Sequence, residues 1–293
     1  MKTKWLVQDV GISMQLIQET FETLKRMHFP FSNFGVIAHT KEITNLENIL
    51  TDPDEHFIIR GGTKILSLLE SMTSLKEANT FLTDEQLQFG DIYKKRLQEG
   101  IFYNEKSFDQ AYYGGLSLPL LNEKSSLYPI KDNLDLRFDI NFFIKPSKDQ
   151  KSFTAGIIKA GQTIKDFIHS QKYQKSYIIE TAIIAPCKTI TAEYRFFVVE
   201  KEVITGSMYR FANKGILSEA IPKNIMDAAK EYAQLYQPHD VFTMDLAETP
   251  AGICIVEYNC WNASGLYKTD IAKIFYAVNE YKRKPKSTQK MKI

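Results

Sequence analysis

Cysteine is scarce in this chain: its 293 residues hold three, Cys187, Cys254 and Cys260, an odd number without metal-ligand spacing and with Cys254 inside an apolar run. That pattern excludes a disulfide framework and a cysteine zinc site, and reads as free thiols in a reducing compartment. Surplus charge is missing as well. With 37 basic against 35 acidic residues the net charge is +2, which supplies no global field for nucleic acid and no general affinity for acidic membranes, so neither is expected as a partner. No apolar run approaches the roughly 18 residues that a membrane span needs. The apolar part of the opening MKTKWLVQDVG is too short for a signal peptide, and a cytoplasmic location is expected. The five histidines, His28, His39, His56, His169 and His239, form no cluster of ligand spacing, so none is assigned to catalysis. Walker motifs and internal repeats are absent too.

What is present is an ordinary globular composition, 44% hydrophobic, 12% aromatic and 25% charged, sufficient for one large core or two to three subdomains. KWLVQDV reads as a strand, and GISMQLIQETFETLKRMHF as a helix with Ile12, Leu16, Ile17, Phe21 and Leu24 at helical spacing. NFGVIAH and HFIIRGGTKILSLLES continue the alternation, so residues 1–110 read as a small α/β domain. Arg60, Gly61 and Gly62 stand at a strand end, where a ligand contact and a plain tight turn are equally good readings. Phe81 to Leu97 reads as helix. Residues 111–136 are aromatic and turn-rich, and read as a connecting segment overhanging a site. From Arg137 the texture changes to long strands. RFDINFFIKP delivers Lys145 at its end, SKDQKSFTAG is a polar loop, KSYIIETAII is a strand, and ITAEYRFFVVEKEVITGSMYRFA is a hairpin with EK near its turn. PKNIMDAAKEYAQLYQ and TDIAKIFYAVNEYKRK read as helices, and residues 283–293 as a solvated basic tail.

Between those helices lies VFTMDLAETPAGICIVEYNCWNASGLY, whose apolar runs flank a turn with Pro250 and Gly252. Antiparallel pairing about that turn sets Asp245 opposite Glu257 within about one residue, and the strand period of two puts Asn259 on the face of Glu257. Acidic residues in a hairpin often sit on its solvated face, yet these two lie deep in buried-strand patterns. Facing buried carboxylates require a cation, and an all-oxygen set of this kind suits Mg2+ or Mn2+ completed by substrate phosphates. Lysines at 145 and 151 read in isolation as surface residues, Arg195 as a partner of Glu193 or Glu202 across its hairpin, Glu180 as an edge-strand residue, and Trp261 and Phe197 as packing residues.

Taken in order, the second half offers a lysine at a strand end, a polar loop with a further lysine and a glycine, a strand with Glu180, a hairpin with Arg195 and Arg210, and three oxygen ligands. Those are the parts that a polyphosphate with a divalent metal requires. This order resembles the ATP-grasp fold, an α+β architecture in which two α+β subdomains hold ATP between them. The EYRFFVVEKEVITGSMYR and MDLAE to VEYN hairpins resemble those of the ribosomal-protein glutamate ligases in that superfamily. FFIKPSKDQKSFTAG and NCWNASGLY resemble more closely a phage and bacterial clade named for its arginine and pair of lysines. The match spans residues 137–282, and residues 1–110 are compatible with the pre-ATP-grasp domain that precedes the fold.

The resemblance implies roles. Lys145 would contact the α and β phosphates of ATP and Lys151 the β and γ phosphates; Glu180 with the backbone of Thr181, Ala182 and Ile183 would recognise adenine, and Glu193 the ribose. Arg195 and Arg210 would stabilise the transferring phosphoryl group, and Asp245, Glu257 and Asn259 would hold Mg2+. WNASG departs from the family's usual small, proline-containing sequence, which points there for substrate choice. The implied activity is an ATP- and Mg2+-dependent carboxylate–amine ligase working through an acyl phosphate on an amino acid, peptide or protein. A phosphotransferase with a hydroxyl acceptor and a non-catalytic nucleotide-binding module use the same parts. On the sequence alone, Asp245→Ala and Glu257→Ala are each expected to abolish ATP turnover with the fold intact, as read by ADP release and circular dichroism.

Overall fold

The computed structural model describes residues 2–9, 14–37, 40, 42–62, 64–148, 152–171 and 181–285. Lys151, Glu180, Ile12 and the tail from residue 286 onward lie outside them. By contacts the chain divides into two compact units, one of Met1–Phe102 with Trp261–Leu266 and Asp270–Ile293, the other of Tyr103–Cys260 with Tyr267–Thr269. Helical and extended elements alternate in the first and segregate into antiparallel sheets in the second.

In the first unit, β1 (Thr3–Gln8), α1 (Met14–Arg26), β2 (Phe31–Ile37), β3 (Glu42–Thr44), α2 (Leu46–Ile49), β4 (His56–Arg60) and α3 (Lys64–Ser71) follow one another. The sheet order is β3-β2-β1-β4, with β1 parallel to β2 and β4. Parallel strands require crossovers: α1 carries the chain from β1 to β2, and β3 with α2 lies between β2 and β4. The region expected as one helix from Phe81 to Leu97 is two, α4 (Asp84–Gln88) and α5 (Gly90–Gln98), broken at Phe89. Arg60 is buried and donates to the carbonyls of Trp261 and Asn262 at 2.6 Å each and to that of Ser264. Its role is thus to satisfy the backbone of the WNASG stretch, and Gly61 permits the close approach of Gln8 that tightens the turn.

The second unit holds α6 (Glu105–Phe108), α7 (Gln110–Tyr113), β5 (Ser126–Pro129), α8 (Ile130–Asn133), β6 (Phe142–Pro146), β7 (Gly156–Ile158), α9 (Ile164–His169), β8 (Thr181–Pro186), β9 (Ala192–Val199), β10 (Glu202–Phe211), α10 (Lys223–Leu235), β11 (Val241–Thr249) and β12 (Gly252–Cys260). Two antiparallel sheets result, β5-β8-β6-β7 and β10-β9-β11-β12. Ile164, Phe167 and Ile168 of α9 pack with Ile144, Ile158 and Ile184 of the first sheet. Ile225, Ala229 and Ala233 of α10 pack with Phe196, Val198, Phe242 and Met244 of the second. The turn of the β9–β10 hairpin carries Glu200 and Lys201 in left-handed backbone, as two-residue turns matching the strand twist require.

The segment at 111–136 is built into this unit: Tyr113, Leu118 and Leu120 enter its core, and β5 pairs with β8. Its irregular spacing of aromatic and aliphatic residues hid that role from a periodicity argument. The strand expected from Arg137 begins at Phe142. The last helix, α11 (Ile271–Arg283), packs against α1, β1 and β4, and so joins the first unit although the sequence reading counted it with residues 137–282.

On β10, Gly206 faces Phe196 so closely that an added Cβ would lie 2.5 Å from that ring and 2.9 Å from the Arg195 carbonyl oxygen. Gly206→Ala is expected to lower stability by about 1–3 kcal/mol, measured by urea unfolding.

Candidate functional site

The β9 strand, AEYRFFVV, is buried along its whole length, Arg195 included. The ladder that brings β9 beside β11 pairs Arg195 with Asp245, and the next ladder pairs Asp245 with Glu257. Three charged side chains thus line up across three strands. Their alignment depends on a bulge. From the turn, the pairs Thr249–Gly252, Glu248–Ile253, Ala247–Cys254 and Leu246–Ile255 run in step; Val256 is then left over, and pairing resumes at Asp245–Glu257. In an unbulged register Asp245 would face Val256, and Glu257 and Asn259 would point to the opposite side.

Arg195 Nε and Nη2 donate to Asp245 Oδ1 and Oδ2 at 2.8 and 2.7 Å, a bidentate pair with the two residues only 7% and 2% exposed. Burial raises the Asp245 carboxyl from its ordinary range, Arg195 opposes it, and Glu257 and Glu193 add to the rise. Burial also acts against the charge on Arg195, and there Asp245 prevails and holds the guanidinium above its usual value. The Arg195 guanidinium lies 5.1 Å from the ring centre of Tyr267 and 5.9 Å from that of Tyr209, and these two rings stack at 5.0 Å. Tyr209 donates to Glu193 Oε2 at 2.6 Å; burial, with Asp245 and Glu193 adding to it, pushes its phenol well up.

Lys145, near the end of β6, reaches from the other sheet to Glu257 Oε2 at 2.6 Å. Arg210 Nη1 donates to Glu193 Oε1 at 2.7 Å, with the arginine side chain half exposed. Asn259 Nδ2 donates to Glu257 Oε1 at 3.2 Å and to Asp245 Oδ2 at 3.4 Å. All of these groups line one cleft of about 670 Å³ within the second unit. Its walls also include Phe143, Lys148, Ile157, Pro186, Cys187 and Lys188.

The cleft brings together Lys145, Glu193, Arg195, Arg210, Asp245, Glu257 and Asn259. Ala182 and Ile183 are buried inside the sheet, and Thr181 uses its carbonyl on the Ser147 amide at 3.0 Å. None of the three lines the cleft; Pro186, Cys187 and Lys188, where β8 ends, do so instead. The sequence reading missed this stretch because a strand's inner residues and its outgoing end look alike in an apolar run. It also missed Tyr209 and Tyr267, which lie far apart in the chain. Arg195 takes neither Glu193 nor Glu202, since its strand is central and its acidic partner comes from β11. The facing carboxylates have cations from the protein itself, so their stability does not require a metal. Trp261 and Phe197 are fully packed. Trp261 and Asn262 of WNASG are built into the first unit, where Asn262 Oδ1 accepts from the Phe102 amide at 2.7 Å.

Among the described residues no three His, Cys, Asp or Glu side chains converge as a metal cluster. Asp245 and Glu257 with the Asn259 amide form a hard-oxygen set that fits Mg2+ when phosphate oxygens fill the shell, provided the Asn259 amide turns its oxygen to the carboxylates.

Residues 107–278 match the family described as ATP-grasp domain, R2K clade family 3. The chain belongs to that family. No curated protein matches it by sequence. Its fold is similar to D-alanine--D-alanine ligase from Bacillus anthracis, at 12% identity over 95% of this chain and 92% of that one, with a TM-score of 0.54. It is similar as well to the ATP-grasp ligase PsnB complexed with precursor peptide PsnA2 and AMPPNP, at 11% identity over 96% and 97%, TM-score 0.51. A further PsnB structure, with a phosphomimetic variant of minimal precursor, Mg and ADP, gives 11% identity over 97% and 98%, TM-score 0.50. The fold class is therefore α+β, ATP-grasp.

The buried pair changes what an alanine substitution does. Asp245→Ala leaves Arg195 charged and unpaired out of water, and is expected to cost about 3–5 kcal/mol of stability. The double change Arg195→Met with Asp245→Leu should regain most of that loss, as read by urea unfolding.

Proposed function

We propose that this chain is an ATP- and Mg2+-dependent carboxylate–amine ligase acting through an acyl phosphate on an amino acid, peptide or protein. The observation that carries the reading is the Lys145–Glu257 pair at 2.6 Å, which spans the cleft from one sheet to the other. Each member is the type of group that one component of Mg-ATP would claim, the ammonium by phosphate oxygens and the carboxylate by the metal. Exchange of partners then admits the ligand without leaving a charge unmatched.

In this reading Asp245, Glu257 and Asn259 hold Mg2+, which neutralises phosphate charge when bound. Lys145 and Lys148 face the phosphates, and Glu193 faces the ribose. The adenine edge is assigned to Pro186, Cys187 and Lys188, which line the cleft, in place of Thr181–Ile183. Lys151 and Glu180 keep their phosphate and adenine roles as proposals outside the described residues. Arg210, half exposed, meets the transferring phosphoryl group. Arg195 is committed through both Nε and Nη2 to Asp245, and so acts by fixing that carboxylate beneath the tyrosine stack. The carboxylate substrate takes the γ-phosphoryl group, and an amine displaces phosphate from the acyl carbon; positioning and electrostatics carry both steps, in keeping with a cleft lined by cations. Ligases with the same fold whose partners are a precursor peptide or D-alanine support the substrate range.

The test is a screen of amino acids and peptides for stimulated ADP release, with mass analysis of the product. A new amide with ADP and phosphate is expected; a stable phosphoester would show a phosphotransferase, and binding without turnover a nucleotide-binding module. Glu257→Gln, at a partly exposed site, should keep the fold and lose at least about 100-fold in turnover, with Mg2+ titration no longer raising the rate.

A further inference from the structure

A second cavity, of about 460 Å³, opens in the first unit and is lined by residues from Glu47 to Tyr93. Leu50, Phe81, Phe89 and Tyr93 give it apolar and aromatic walls, and Glu47 and Glu85 its charge. Among the described residues no lysine or arginine lines it. Phe81 is 72% exposed, yet it is not at a loose tip. Its amide donates to Asn79 Oδ1 at 2.8 Å, and the buried Asn79 donates in turn to the Ile43 carbonyl at 3.2 Å and to Glu47 Oε2 at 2.6 Å. Across the cavity, Gln86 Nε2 donates to the carbonyls of Glu47 and Leu50 at 2.7 and 3.0 Å, tying α4 to the end of α2. The fold therefore fixes the backbone that presents an aromatic ring to water beside a walled space, at the expense of exposed apolar surface.

Charge decides what fits. The stretches 46–55 and 81–91 that form these walls contain acidic side chains and not one lysine or arginine. Lys2, just ahead of β1, and Lys4, on β1, match Asp52 and Glu55, while Asp54, Asp84 and Glu85 are exposed. Tyr93, on the floor, is raised by burial, and Asp52, Glu85 and Glu55 raise it further, so the acidic field reaches into the cavity itself. A long cationic side chain satisfies both features at once, its methylene stem lying on the rings and its charged head meeting ring faces and carboxylates. An anion or nucleotide would meet repulsion, and a purely apolar group would leave the carboxylates unmatched.

We propose that this cavity binds a lysine or arginine side chain of a partner polypeptide. That the polypeptide is the one to be ligated rests on the ligase reading; the binding itself does not. The test uses the whole chain and a fluorescein-labelled peptide of alternating lysine and leucine, followed by fluorescence anisotropy, with versions carrying glutamate or norleucine in place of lysine. Saturable binding of the lysine peptide is expected, weaker by about tenfold in Phe81→Ser, by up to about fivefold in Glu85→Gln, and unchanged in Phe81→Tyr. Both altered side chains are exposed, so the fold should persist. Absence of saturable binding, equal binding of the glutamate or norleucine peptide, or full affinity in both Phe81→Ser and Glu85→Gln would overturn the proposal. ADP release stimulated by amino acids or peptides, measured on the parent protein, reports separately on the ligase reading: its absence, with binding of the labelled peptide intact, would remove only the designation of the partner as substrate.

Discussion

Between β9 and β11 a guanidinium and a carboxylate meet where water does not reach, and most of the second unit's polar architecture is arranged around that meeting. Either group alone would be untenable at this depth; together they form the bidentate contact of Arg195 with Asp245. Asp245 is thereby fixed in place for Glu257 to stand beside it, and the bulge at Val256 is what turns Glu257 to that side. Tyr209 and Tyr267 lie over the guanidinium, Tyr267 in a left-handed backbone conformation that only its surroundings can hold.

The same economy governs the cleft as a whole. Lys145, Arg195 and Arg210 face Glu257, Asp245 and Glu193 one to one. Lys148 and Lys188 line the cleft as well and leave its charge net positive, so a polyanion is drawn by charge and is then recognised because it offers better partners than those already engaged. Discrimination then comes from geometry, because a ligand that replaces only one half of a pair strands the other half in a poorly solvated place.

Local signals carried much of this into the sequence. The alternation of β1, α1 and β2, the two hairpins and the opposition of Asp245 to Glu257 follow from apolar period and turn residues, which act over a few positions. Sheet neighbours joined by long connections are a different matter. Arg195 could not be matched to Asp245 from spacing, because which strand lies beside β9 is decided by the packing of the whole sheet. The bulge has neither glycine nor proline to announce it, and the outgoing end of β8 at Pro186–Lys188 is continuous in composition with the buried strand before it. WNASG pointed to substrate choice because it departs from the small, proline-containing sequence usual in the family; in space its carbonyls are met by Arg60.

The chain's return to its first unit has a bearing on biosynthesis. Trp5 on β1 lies 4.6 Å from Phe275 and 5.9 Å from Trp261, ring centre to ring centre, and its indole nitrogen donates to Asn279 at 3.3 Å. A nascent chain leaving the ribosome makes β1 before the second unit and the residues that cover it after that unit. Until then the earliest strand has an uncovered apolar face, while the whole of Tyr103–Cys260 has already emerged and can close upon itself. Between these two units the order of completion is inverted relative to the order of synthesis, the earlier one being closed after the later.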